Sequence, residues 1–221
     1  MPGLEQAKLK TKTQTKIQIE LATAEVEMAL SAADFLAQAI GPHIEIEYGP
    51  KFCDILKTQY LSAHTLQSYQ RTLLAWSNNR CIGLVCAISA EEYRQRQQHS
   101  QQLLFEHDPI NRLRCARSWV RQRLNGAPQG PWQTNQLYVQ SLAVHADFRG
   151  QAITRQLLNS ATTIYKTQYA NTELLRGTEQ LSAQISPDNK ASQQALQKAG
   201  FTQLPGPASQ IRMIRSLEQP H

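Results

Sequence analysis

The stretch Ser141-Leu142-Ala143-Val144-His145-Ala146-Asp147-Phe148-Arg149-Gly150-Gln151-Ala152-Ile153-Thr154 constrains the fold more than any other. A strand expected over Gln136 to Val144 ends here, a short loop turns, and small residues open a long amphipathic helix running from about Gly150 to Tyr169. A turn of this kind leaves backbone N–H groups unpaired where the helix dipole is positive, which makes an anion site. Gly150, Ala152 and Thr154 are small enough to let a phosphate approach the backbone. A dinucleotide turn of the Gly-x-Gly-x-x-Gly type needs three glycines, and this loop holds only Gly150. A Walker loop needs Gly-Lys-Ser/Thr, which does not follow either.

The remaining pattern alternates strands and helices. Ile17, Ile19 and Leu21 alternate with polar residues as in a half-buried strand. Val26, Leu30, Ala33, Ala37 and Ile40 then recur at helical spacing, with Thr23 as the expected cap and Gly41-Pro42 as the stop. A second helix is expected to follow Gly49-Pro50, with Phe52, Ile55, Leu56 and Tyr60 on one side and a weaker pattern towards Gln70. Strands over Leu73 to Trp76 and Cys81 to Ile88 flank Ser77-Asn78-Asn79-Arg80, whose asparagines suit the positive φ of a tight hairpin. Ser89-Ala90-Glu91-Glu92 has the form of a capping box that opens a helix towards Glu106, and Asp108-Pro109 predicts another. In that second helix Ile110, Leu113, Val120 and Leu124 share one face, and Arg114, Arg117 and Arg121 another, before Asn125-Gly126-Ala127-Pro128 closes it. A strand from Gln180 to Ser186, a helix from Asn189 to Ala199 ended by Gly200, and closing strands over Phe201 to Leu204 and Gln210 to Leu217 complete the chain. Strands joined both by hairpins and by helices imply an α/β (α+β) fold: a mixed central sheet with helices on both faces.

Composition sets outer bounds. With 221 residues and 41% apolar content, one sizeable core is expected, so residues 16–217 read as a single domain with a helical insertion at about 90–126. Residues 1–15 are rich in Lys, Thr and Gln and read as a flexible lead. No apolar run is long enough to span a bilayer, and the start lacks the apolar block of a secretory signal, so a cytoplasmic protein without a membrane partner is expected. Cys53, Cys81, Cys86 and Cys115 show no metal-ligand spacing, which predicts reduced, packed thiols and no metal. The net charge of +6 favours anionic ligands without indicating nucleic acid.

The segment ending at Thr154 resembles the cofactor motif of the GNAT superfamily of acyl-CoA N-acyltransferases, Arg/Gln-x-x-Gly-x-Gly/Ala after a strand carrying Leu-x-Val. Arg149, Ala152 and Thr154 stand at its defining places, with Ala152 and Thr154 where small residues, usually glycine, are found. Ile185-Ser186-Pro187-Asp188-Asn189-Lys190-Ala191 leading to Leu196-Gln197-Lys198-Ala199-Gly200-Phe201 resembles the family's next strand, its Asn-x-x-Ala/Ser helix and its terminal Gly-Phe. The close resemblance covers about residues 136–204.

The resemblance implies a splayed sheet, acetyl-CoA as co-substrate, and transfer of its acetyl group to an amine of a small molecule or a protein. The two strands would part so that the pantetheine arm lies between them. It assigns Leu142 and Val144, with Ala143 between them, to the pantetheine, and Arg149, Gly150, Gln151, Ala152, Ile153 and Thr154 to the pyrophosphate. Asn189, and Ser192 beside it, would meet the pantetheine arm. Direct attack on the thioester would use backbone N–H around Leu142 to Val144 to polarise the carbonyl. Tyr138 and Gln140 lie along the strand where the family places catalytic groups, and Tyr138 is the candidate catalytic side chain, a positioning residue more than a base. Many members carry a tyrosine as general acid five residues before the terminal Phe, and here that place is Leu196.

That departure keeps open a second reading, a weakly catalytic or non-catalytic acetyl-CoA-binding protein. A third, association with nucleic acid, rests on the arginines between Pro109 and Leu124; a solvated helix face explains them better, since stacking aromatics are few. The helical segment is expected to cover the acceptor site, to form a contact in a homodimer, or to be a stabilising appendage with a polar outer face.

Overall fold

The computed structural model describes residues 16–41, 44–107, 110, 113–114, 116, 120, 130–131, 133, 135–169, 179–206 and 208–217. The expected flexible lead over residues 1–15 and most of the expected helix from Pro109 to Leu124, including Arg117 and Arg121, lie outside these residues, as does Cys115.

A sheet of seven strands runs through the molecule. In chain order its strands are β1 (Ile17–Leu21), β2 (Thr72–Ser77), β3 (Arg80–Ser89), β4 (Gln136–Val144), β5 (Gln180–Ile185), β6 (Thr202–Leu204) and β7 (Ile211–Ser216), arranged β1-β2-β3-β4-β5-β7-β6. All neighbours are antiparallel except β4 and β5, which run parallel. That pair needs a crossover, because parallel neighbours cannot be closed by a hairpin. The helices are α1 (Val26–Ile40), α2 (Ile44–Tyr48), α3 (Phe52–Leu61), α4 (Ala90–His107), α5 (Ile153–Tyr169) and α6 (Lys190–Lys198).

The helices divide between the faces of the sheet as the apolar alternation demands. Leu137, Val139, Val144, Leu181, Ala183 and Ile185 pack against Ile153, Leu157, Leu158 and Ala161 of α5 and Leu196 of α6. On the opposite face Leu74, Leu84 and Ala143 meet Ala29, Ala33 and Leu36 of α1 and Leu56 and Tyr60 of α3. The chain thus has the mixed α/β architecture expected from its sequence.

Several local expectations hold and several are corrected. Asn78 and Asn79 adopt φ of 50° and 60° in the β2–β3 hairpin, and Gly200 ends α6 with φ 90°. The cap of α1 is Glu25 rather than Thr23, whose hydroxyl turns to the Met28 sulfur. The helix α2 was not expected; it is a single short turn between Gly41 and Gly49 that carries no strong periodicity. The pattern expected towards Gln70 stops at Leu61, and a short 3-10 turn at Tyr69–Arg71 leads into β2. The helix expected from Gly150 starts three residues later, because Gly150 and Ala152 take left-handed φ of 79° and 60° and belong to the loop. Ile110, Leu113 and Val120 are exposed. Arg114 packs its guanidinium against Gly49, where an added Cβ would meet Nη1 at 2.1 Å.

The capping box at Ser89 forms only in part. The Glu92 amide donates to the Ser89 hydroxyl at 3.2 Å, but the Glu92 carboxylate does not return to the Ser89 amide, which donates to the Tyr165 hydroxyl at 3.0 Å. The carboxylate instead accepts from Arg71 Nε at 2.9 Å and from the Tyr165 hydroxyl, and lies 3.7 Å from Arg96 Nη2. This buried hub ties α4 to the sheet and to α5. Cys81 and Cys86 are buried free thiols, as expected, and burial pushes the Cys86 thiol up to about 12.

Candidate active site

β4 and β5 pair only over Gln136–Val139 and Gln180–Ala183. Beyond that point β4 continues to Val144 on β3 alone, while β5 continues to Ile185 on β7, so the two strands part into a fork. A bulge accompanies the parting: Cys86 pairs with Ser141 and Ala87 with Val139, which leaves Gln140 as the extra residue of β4. An extra residue bends and twists its strand, and here it turns β4 away from β5.

The edge of β4 in the fork carries unpaired backbone groups whose direction follows from strand alternation. The His145 amide donates to Ile82 O on β3 at 2.8 Å, and the Ala143 carbonyl also faces β3, lying 3.0 Å from where a Gly83 Cβ would sit. Alternate residues face the other way, so the Leu142 and Val144 amides point into the fork. The Val144 carbonyl accepts from Arg149 Nε at 3.2 Å on that side.

At the open end of β4 the chain makes a 3-10 turn over Ala146–Phe148, capped by the His145 ring, which accepts from the Asp147 amide at 3.3 Å and meets Arg80 Nη2 at 2.7 Å. The loop then reaches α5, whose first internal bond runs from the Gln156 amide to Ala152 O. Among the described residues, none of the amides from Gly150 to Arg155 donates to a protein acceptor. They form a cradle at the positive end of a helix of 17 residues. A Cβ on Gly150 would meet nothing within 4 Å, so the cradle is open.

Ala152 occupies a conformation that suits glycine. Replacing it with glycine should therefore stabilise the fold by up to about 1 kcal/mol, since the steric cost of an L residue at positive φ disappears even as the unfolded chain gains freedom. Denaturant midpoints of the two proteins compared at constant m-value measure this, and a loss of stability would contradict it.

Across the fork, the Asn189 side-chain oxygen caps α6 by accepting from the Ser192 amide at 3.1 Å. Ser192 is half-buried in the first turn of that helix. Leu196, where a general acid might have stood, is 3% exposed and packed in the main core. Tyr138 lies on the last paired rungs, opposite Ser182, edge-on to Tyr93 with ring centroids 5.7 Å apart. Its hydroxyl reaches Gln184 Oε1 at 3.5 Å. Burial and the neighbouring Tyr93 push the Tyr138 phenol well above its ordinary range, which favours its protonated form.

The structure thus brings Leu142, Ala143, Val144, the Arg149–Thr154 loop and Tyr138 onto one strand and its following turn, with Asn189 and Ser192 on the element after β5. Sequence reasoning missed Ser182 and Gln184, and placed Gln140 on the strand beside Tyr138 without giving it a role. Their signal was present only as polar residues inside strand patterns, which is also how exposed strand positions look. Among the described residues no cluster of His, Cys, Asp and Glu could hold a metal, and no helix is long and apolar enough to cross a membrane.

A parted parallel pair beside an amide cradle at a helix start is what an acetyltransferase fold is expected to show, and comparison with known proteins agrees. The sequence profile of the acetyltransferase (GNAT) family matches residues 43–201, and the chain belongs to that family. No curated protein matches the sequence. Among solved structures, an acetyltransferase superposes with a TM-score of 0.61 at 17% identity, covering 91% of this chain and 100% of its own. An N-acetyltransferase from Staphylococcus aureus Mu50 gives 0.57 at 18% identity, covering 90% and 100%. The PaiA N-acetyltransferase from Thermoplasma acidophilum, solved in complex with coenzyme A, gives 0.51 at 12% identity, covering 91% and 99%. At these identities the likeness is one of fold.

Proposed function

We propose that the protein is an acetyl-CoA-dependent N-acetyltransferase. The observation that carries this reading is the run of unpartnered amides from Gly150 to Arg155 at the mouth of the β4–β5 fork. These amides suit a diphosphate, with Arg149 swinging from Val144 O to add its charge. The edge of β4 at Leu142 and Val144 suits the amide groups of a pantetheine arm, and the side of the fork formed by Asn189 and Ser192 would flank it. The solved relative that binds coenzyme A makes such a ligand reasonable for this fold. In this reading residues 16–217 form one catalytic unit, and the segment 90–126 is an insertion.

The chemistry asked of the chain is modest. The lone pair of the acceptor nitrogen attacks the thioester carbonyl carbon, the backbone N–H groups facing the fork hold the developing oxyanion, and the C–S bond breaks. The nitrogen gives up one proton and the departing sulfur takes one, so the products are an N-acetyl compound and free thiol. Leu196 cannot supply that proton, which leaves the thiolate to be protonated by solvent.

Coenzyme A at about 100 times its Kd should stabilise the native state by about 2.7 kcal/mol, seen as an upward shift of the melting temperature. Thiol release from acetyl-CoA in the presence of an amine panel tests turnover. Stabilisation without turnover on any amine would favour a binding or sensing protein, the reading that Leu196 supports. No stabilisation at millimolar coenzyme A would remove both.

A further inference from the structure

The narrow end of the fork presents polar side chains that the fold itself does not use. Ser182 is fully buried and its hydroxyl has no protein partner; the Gln140 side-chain oxygen is likewise buried and unpartnered. Tyr138 donates to Gln184 Oε1, and the Gly130 amide, which donates to the same Gln184 oxygen at 3.1 Å, also lies within reach of the tyrosine oxygen, which keeps one further lone pair for an occupant. These residues are neighbours by register: Tyr138 pairs with Ser182 one rung before the strands part, and Gln140 and Gln184 follow directly after the last rung, Val139–Ala183. Buried oxygens without donors are destabilising and few in native proteins, so two of them at a strand fork call for an N–H-bearing occupant.

The charge at this place narrows the occupant further. Tyr138, Gln140, Ser182 and Gln184 are neutral, and among the described residues no carboxylate makes a hydrogen bond to Tyr138, Gln140 or Ser182. The phenols on both packed elements, Tyr138 of β4 and Tyr93 of α4, are pushed up by burial and stay protonated. An alkylammonium ion entering here would lose its hydration among neutral groups, which disfavours the charged form.

Resting on the acetyl-transfer reading above, we infer that Tyr138, Gln140 and Ser182 hold the acceptor amine in its neutral form, through hydrogen bonds accepted from its N–H groups, and that the acceptor is a weakly basic amine. Arylamines, hydrazides and low-pKa α-amino groups fit this description. A lysine-like amine of pKa near 10.4 offers only roughly one free base in 2,500 at pH 7, and among the described residues no carboxylate is bonded to Tyr138, Gln140 or Ser182 to take its proton. With the acceptor nitrogen hydrogen-bonded through its N–H groups, its lone pair is left to face the thioester.

The test compares 4-methylaniline with benzylamine, molecules of similar bulk and very different basicity, as acceptors with acetyl-CoA at pH 6 to 9. The expected result is a kcat/KM for 4-methylaniline at pH 7 at least about tenfold higher, reflecting the free-base fraction. Ser182→Ala and Gln140→Leu should each raise the acceptor KM with little change in the stabilisation by coenzyme A, which also verifies their folding. Gln140→Glu should shift the preference towards benzylamine. Equal or better use of benzylamine by the unaltered protein at pH 7, or unchanged acceptor KM in both folded variants, would overturn the inference. Loss of coenzyme A stabilisation in the unaltered protein would instead overturn the reading beneath it.

Discussion

Replacing Gly150 with glutamate is expected to abolish the thermal stabilisation by coenzyme A while leaving a folded protein. The position is exposed and a side chain there meets no atom, so the direct cost to folding is the left-handed φ of 79°, about 1–2 kcal/mol for a residue with a Cβ. The cost to binding is larger, because a carboxylate placed beside the Gly150–Arg155 amides competes for the donors and repels the diphosphate. The shift of the melting temperature seen for the parent, equivalent to about 2.7 kcal/mol at 100-fold saturation, should disappear at the same ligand concentration. Ala152→Glu should behave alike. Arg149→Ala should be milder, since the backbone donors remain. Parent-like stabilisation of either glutamate variant would place the diphosphate elsewhere.

Glu92→Ala should destabilise the fold by about 3–5 kcal/mol, the effect of removing one partner from a buried ion cluster. The Glu92 side chain is 7% exposed, and those of Arg71 and Arg96 are 11% and 12% exposed. Without the carboxylate, two guanidinium groups and the Tyr165 hydroxyl lose an acceptor at a site that water barely reaches. A domain of this kind holds only about 5–15 kcal/mol, so a large part of its margin would go. Glu92→Gln should cost less, because one oxygen still accepts. Urea midpoints give the comparison; a loss below about 1 kcal/mol for the alanine variant would show that the cluster relaxes to solvent.

What the amino-acid sequence determined by itself was local. The strand-loop-helix from Gln136 to Tyr169, the Asn78-Asn79 hairpin, the Asn189 cap and the Gly200 stop depend on side-chain periodicity and on hydrogen bonds within a few residues, so their residue types announce them. The cradle was legible for the same reason. Tertiary structure decided what depends on distant partners. The parting of β4 from β5 arises from a bulge at Gln140, which exists only as a mismatch of register with β3, and no pattern within β4 states it. Glu92 looked like one arm of a capping box until Arg71 and Tyr165, from two other elements, claimed its carboxylate. Ser182 became a candidate only once burial without a partner could be seen, because a polar residue in a strand reads as solvent-facing until the sheet is covered on both sides. Local chemistry therefore shows where the amide cradle lies, whereas the narrow end of the fork is assembled from strands whose pairing the chain settles only by folding.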